Sequence, residues 1–153
     1  MISPLNSLCA LCFLASCNSP EAITTPTDNV DTKKIAYVSY VGCYQMVIEK
    51  DTAYMELKQD GDRLVGPLVY KRFEKDSNTG NVVLLQKKDR LVGWYTFQSE
   101  GMASVRQIVF LPGNNNLSEG YGDLGVKGDT AFFKYPATLQ FEIKHPFNKV
   151  NCK

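Results

Sequence analysis

From Gly42 to Lys144 apolar and polar residues alternate in short runs bounded by turn residues, the pattern of half-buried β-strands. The runs are CYQMVIE (43–49), TAYMELKQ (52–59), RLVGPLVYKRF (63–73), NVVLLQK (81–87), RLVGWYTFQ (90–98) and ASVRQIVFL (103–111). Short turns such as Lys50-Asp51, Asp60-Gly61-Asp62 and Lys88-Asp89 join most of them, and the loop EKDSNTG joins the third to the fourth. A glycine-rich loop, Gly113 to Asp129, comes next, and two last runs, AFFKY (131–135) and TLQFEIK (138–144), flank Pro136. Helical periodicity is absent from this stretch. The expectation is an all-β fold, an up-and-down antiparallel barrel of about eight strands, within a domain of residues 36–153.

One pentapeptide, DRLVG, occurs at Asp62–Gly66 and again at Asp89–Gly93. Each copy leaves a hairpin turn and opens a strand. By period two, Leu64, Gly66, Leu68 and Tyr70 share one face, as do Leu91, Gly93, Tyr95 and Phe97. A glycine recurring in a barrel wall marks a bend or a close approach of backbones, so the repeat is architectural.

The sequence before residue 36 has a different character. Its first sixteen residues, MISPLNSLCALCFLAS, are mostly apolar and carry no charged side chain. A span needs roughly 20 residues, so this reads as a secretory signal (1–16). No Lys or Arg precedes the apolar run. Leu14 to Cys17, LASC, resembles a bacterial lipobox, which implies acylation of Cys17 and loss of everything before it. The alternative is an ordinary signal cut that leaves a free cysteine. Asn18 rather than Asp follows, which points to the outer membrane. The stretch NSPEAITTPTDNVDTKK is too polar to fold, so residues 17–35 read as the lipidated cysteine and a flexible linker.

Cys9 and Cys12 leave with the signal. Cys43 and Cys152 remain, and an oxidising compartment predicts a disulfide between them. An even-stranded meander also brings its two chain ends together, which places these cysteines side by side. Two free thiols or a metal site are the alternatives; a metal lacks ligands, because His145 is the only histidine. DSNTGN (76–81) lacks the ligands of a calcium loop and reads as a hairpin loop. No metal or cofactor is expected.

A net charge of +1 gives no field that attracts nucleic acid. No G-x-S-x-G, P-loop or metal cluster is present, so no enzymatic activity is expected. Candidate chemistry collects at the barrel mouth away from the cysteines, with Tyr70, Arg72 and Glu74 on one inward row and Tyr95, Phe97 and Ser99 on another. Arg106, on a largely apolar strand, either lies on the surface or points inward and needs a carboxylate, with Glu74 or Glu100 as the expected partner. The ligand-binding candidates are therefore Glu74, Tyr95, Phe97, Glu100 and Arg106, around a small, partly polar molecule. The competing reading is a structural ion pair that plugs a filled barrel, with the outer surface binding another envelope protein.

Two resemblances follow from these residues. The L-x-G-x-aromatic strands resemble those of avidin- and lipocalin-like meander barrels, with no ligand residue to carry over. The set GCYQ, KDTAYMEL, FEKDSNTG, TFQSEGMASVRQIVF and EGYG resembles small outer-membrane lipoproteins of Bacteroidetes-type bacteria, a group without an assigned activity. That second resemblance implies a location and a fold, with membrane lipid as partner through Cys17.

Overall fold

The computed structural model describes residues 40–99 and 101–153. The signal (1–16), Cys17 with its linker (17–35) and Glu100 lie outside the described residues. The strands are β1 (Gly42–Ile48), β2 (Asp51–Asp60), β3 (Arg63–Lys71), β4 (Asn78–Lys87), β5 (Arg90–Ser99), β6 (Met102–Pro112), β7 (Asn116–Tyr121), β8 (Leu124–Lys127), β9 (Thr130–Phe133), β10 (Gln140–Phe141) and β11 (Phe147–Val150). Eight of them, β1 to β7 and then β11, close an antiparallel ring, because β11 pairs with both β7 and β1. The all-β barrel expected from the alternation is the fold observed.

The first six strands fall where the alternation places them, although β4 begins at Asn78, inside the stretch read as a hairpin loop. The last two ring strands differ. The seventh is Asn116–Tyr121, within the supposed loop 113–129, and the eighth is Phe147–Val150. AFFKY and TLQFEIK contribute β9 and β10, which lie outside the ring. The reason is visible in the packing. Phe133 and Leu139 bury against Val109 on the outer wall, with Val92 and Phe141 beside them. The segment after Tyr121 is thus an excursion that covers the wall of β5 and β6. Side chains stitch it there: the Phe133 N–H donates to Gln107 Oε1 at 3.0 Å, and Arg90 Nη1 donates to the Pro136 carbonyl at 2.9 Å.

Inward positions fill the barrel. Tyr44, Met55, Leu57, Leu64, Leu68, Leu84, Leu91, Tyr95, Ile108, Phe110 and Phe147 are essentially fully buried. An eight-stranded barrel is just wide enough to be packed in this way. Tyr95 stacks on Phe97 with ring centroids 4.7 Å apart. Its hydroxyl lies 2.9 Å from the Leu68 carbonyl and 3.0 Å from that of Asn78, so it cross-links β3, β4 and β5.

The repeated glycines stand where neighbouring backbones approach too closely for a side chain. A Cβ on Gly66 would lie 2.0 Å from the Glu56 carbonyl oxygen, and one on Gly93 would lie 1.8 Å from that of Val83. The DRLVG repeat is therefore a wall device, repeated because the same crowding recurs two strands further round.

Cys43 and Cys152 form a disulfide, with Cα atoms 5.2 Å apart across a sequence separation of 109 residues. It pins the start of β1 to the chain that leaves β11, at the end carrying the DRLVG turns. The opposite end holds the turns after β1, β3 and β5.

Candidate functional site

At this opposite end the inward rows turn polar. Tyr70 lies near the end of β3, Arg106 near the start of β6, and Glu119 and Tyr121 share the inward row of β7. The four form one connected network. Arg106 Nη2 donates to Glu119 Oε1 at 2.8 Å and to the Tyr70 hydroxyl at 3.2 Å. The Tyr70 hydroxyl donates to Glu119 Oε2 at 2.8 Å, and that of Tyr121 donates to the same oxygen at 3.3 Å. The Arg106 guanidinium also lies over the rings of Tyr70 (5.3 Å) and Tyr95 (5.8 Å). Two rings and a carboxylate surround it, a setting that suits a guanidinium better than a flexible ammonium.

Glu119 is the buried member: its side chain is 5% exposed against 27% for Arg106. Burial pushes its carboxyl above the ordinary carboxylate range, against the lowering effects of Arg106 and of the Tyr70 and Tyr121 hydroxyls. Burial works against the charge of Arg106 too, but Tyr70 and Glu119 beside it prevail, and its pKa lies above the ordinary value. Tyr70 is raised well above the usual phenol value by burial first and Glu119 second, so it is the proton donor in its bond to Glu119. Burial raises Tyr95 to about 12. Among the described residues no buried side-chain nitrogen or oxygen lacks a hydrogen-bond partner.

Arg106 thus has a carboxylate partner, as its position required, but the partner is Glu119 rather than Glu74 or Glu100. Glu74 sits exposed on the rim with φ 55°, and Glu100 lies outside the described residues. Tyr95 and Phe97 are below the rim: Tyr95 is fully buried and Phe97 packs against the same core. The sequence signal for Glu119 was parity: in Leu117-Ser118-Glu119-Gly120-Tyr121, an inward Leu117 puts Glu119 and Tyr121 inward as well.

Above the network the mouth is hollow. A pit of about 130 Å³ is lined by Met46, Ile48, Tyr70, Arg72, Arg106, Glu119 and Tyr121, with Asp51, Thr52 and Lys71 at its edge. A wider cleft of about 470 Å³ is lined by Arg72, Glu74, Lys75, Asp76, Asn78 and Ser99. A further one of about 520 Å³ runs past Ile48, Glu49, Lys50, Asp51, Arg72, Phe73 and Lys75. Arg72 borders all three. The two hairpin tips are tied together, since Asp51 Oδ1 accepts the Phe73 N–H at 2.8 Å and Lys50 Nζ lies 3.9 Å over the Phe73 ring.

Among the described residues no three His, Cys, Asp or Glu side chains are grouped to hold a metal ion. The pit brings together two guanidiniums, two tyrosines and short apolar walls over a floor that is already hydrogen-bonded. No protein-family model, curated protein or solved structure matches this chain.

Proposed function

We propose that this chain is a lipid-anchored protein of the bacterial cell envelope that binds a small, partly polar molecule at the barrel mouth and performs no chemistry on it. The observation that carries this reading is the cup itself. The barrel interior is packed up to the layer of Arg106 and Glu119, and above that layer lie a pit lined by apolar, aromatic and charged groups and a polar cleft that shares Arg72 with it. Such a mixture of apolar walls and a few fixed polar groups is the ordinary composition of a ligand site.

The anchor reading rests on LASC and the polar stretch after Cys17. Acyl chains on that cysteine would anchor the protein, and Asn18 in place of Asp favours the outer membrane. The test is untargeted mass spectrometry of small molecules that co-purify with the full-length chain from its native envelope. One species retained at stoichiometric amount supports the reading, and a preparation free of small molecules contradicts it.

A second reading has its own observation. Val65, Val83 and Trp94 are cross-strand neighbours on the outer wall, and Val83 and Trp94 are 40% and 42% exposed. An exposed apolar row of this kind suits a protein partner, with the packed barrel as its scaffold.

A further inference from the structure

We propose that the pit at the barrel mouth is a binding site for an oxyanion, a carboxylate or phosphate group, gripped between Arg72 and the free edge of Arg106. The assignment rests on the small-molecule reading of the cup and names the chemical class of its ligand.

The argument starts from donor bookkeeping. A guanidinium carries five N–H donors in a rigid fork. Arg106 uses Nη2 for Glu119 and Tyr70. Its Nε and Nη1 make no hydrogen bond to any described residue, and because no buried polar atom is unsatisfied, they meet solvent. Arg106 borders the pit, so that is where its remaining donors are available. The edge is pre-oriented, since the other half of the fork is locked by Glu119 and the face rests on Tyr70 and Tyr95.

Arg72 supplies the second arm. It follows β3 directly on the inward row of Tyr70 and has no ion pair or hydrogen bond from its side chain among the described residues. It lines the pit and both flanking clefts, so it is central to the mouth. Its charge reaches the floor of the pit, where it helps to lower the pKa of Glu119.

The donors left over in the pit favour an anion. Its inward rows supply two guanidiniums, Arg72 and Arg106, and two carboxylates, Asp51 and Glu119, while Lys71 borders it from the outward row of β3. Both carboxylates already accept hydrogen bonds from the protein: Asp51 from the Phe73 N–H, Glu119 from Arg106, Tyr70 and Tyr121. Neither carboxylate is bonded to Arg72 or to the free edge of Arg106, and guanidiniums recognise planar or tetrahedral oxyanions through paired N–H···O bonds. The volume sets the size. About 130 Å³ holds a group of a few heavy atoms, and the adjoining cleft of about 470 Å³ leaves room for the rest of a larger molecule.

The experiment is calorimetric titration of the full-length chain, at low ionic strength and neutral pH, with inorganic phosphate, acetate, glucose and glucose 6-phosphate. Saturable binding of phosphate or acetate, weakened by added salt, is the expected result. Arg72→Ala is expected to weaken it about tenfold or more, the effect of one charge-assisted hydrogen-bonding arm. Arg72→Lys should restore part of the loss, and Lys87→Ala, at the other end of the barrel, should leave affinity unchanged. Arg72 is exposed, so its loss should not disturb folding, and an unchanged thermal midpoint checks this. Tighter binding of glucose 6-phosphate than of phosphate identifies the oxyanion as the end group of a larger ligand; equal binding identifies a free anion. Anion binding that is indifferent to Arg72→Ala overturns the assignment. Binding of glucose alone, without response to phosphate or acetate, overturns the oxyanion class while the small-molecule reading stands. Silence toward all four probes also overturns it, and the co-purified small molecule then decides the broader reading independently.

Discussion

Replacing Arg106 by Met removes the guanidinium and keeps a chain of similar reach. What remains is Glu119, 5% exposed, with only the Tyr70 and Tyr121 hydroxyls to solvate its charge. Removal of one partner from a buried pair costs about 3–5 kcal/mol, because the other charge is stranded. Arg106 is itself partly open to solvent, so the reverse change, Glu119→Gln, leaves a guanidinium that water can reach and should cost less, about 1–3 kcal/mol. The double variant, Arg106→Met with Glu119→Gln, should recover much of the loss. The deficit also depends on pH, and its sign is fixed. Burial already holds the Glu119 carboxyl above its ordinary value of 4.5, and Arg106 is the strongest influence in the opposite direction. Without Arg106 the folded-state pKa rises further. A carboxyl with a raised folded pKa contributes stability that is full below the unfolded value and lost as pH climbs through the folded value. Arg106→Met should therefore be closest to wild type near pH 4 and fall progressively behind toward neutrality. Urea unfolding followed by Trp94 fluorescence from pH 4 to 7.5 measures this. A deficit that is constant with pH, or a Glu119→Gln variant less stable than Arg106→Met, would show that Glu119 is not the stranded charge.

Three further outcomes are expected. Gly66→Ala and Gly93→Ala each force a Cβ to within 2.0 Å of a neighbouring carbonyl, so each should lower unfolding free energy by about 1–3 kcal/mol or more, measured by urea midpoints; neutral behaviour would contradict the crowding described. Cys43→Ala with Cys152→Ala opens a loop of 109 residues and should lower stability by about 4–5 kcal/mol in the chain-entropy account, and an unchanged thermal midpoint would count against that account. Cys17→Ser should move the protein from the membrane fraction to the soluble one and abolish labelling by fatty-acid analogues; persistent labelling would exclude acylation at this residue.

The barrel was legible because its first six strands are joined mostly by tight turns and alternate cleanly, as Leu64, Leu68 and Tyr70 do on β3. The strand count of eight was right even though two strands were misplaced, because ring closure forces the last strand back beside Cys43. The misplacement has a physical cause. β7 reads NLSEGY, and its inward row carries Glu119 where alternation leads one to expect an apolar residue. Polar residues flanked by glycines look like a loop when the ion pair that justifies them is not known. AFFKY and TLQFEIK look more like wall than β7 does, since Phe133 and Leu139 bury apolar surface on the outside of the barrel. With the seventh strand placed wrongly, only hairpin carboxylates were in reach of Arg106, hence Glu74 and Glu100. The cup itself was partly legible: Arg72, Glu74, Lys75, Asp76 and Ser99 converge as the alternating turns require. Tyr121 was missed with its strand.

The proposed binding at the mouth, rather than on the outer wall, has a residue-level signature. Backbone amide shift mapping of the full-length chain, titrated with the small molecule recovered from the native preparation, tests this most directly. Saturable shifts are expected at Asp51, Arg72, Asn78, Ser99 and Tyr121, with Val65, Val83 and Trp94 unmoved. Shifts confined to the row of Val65, Val83 and Trp94, with the mouth silent, would contradict it.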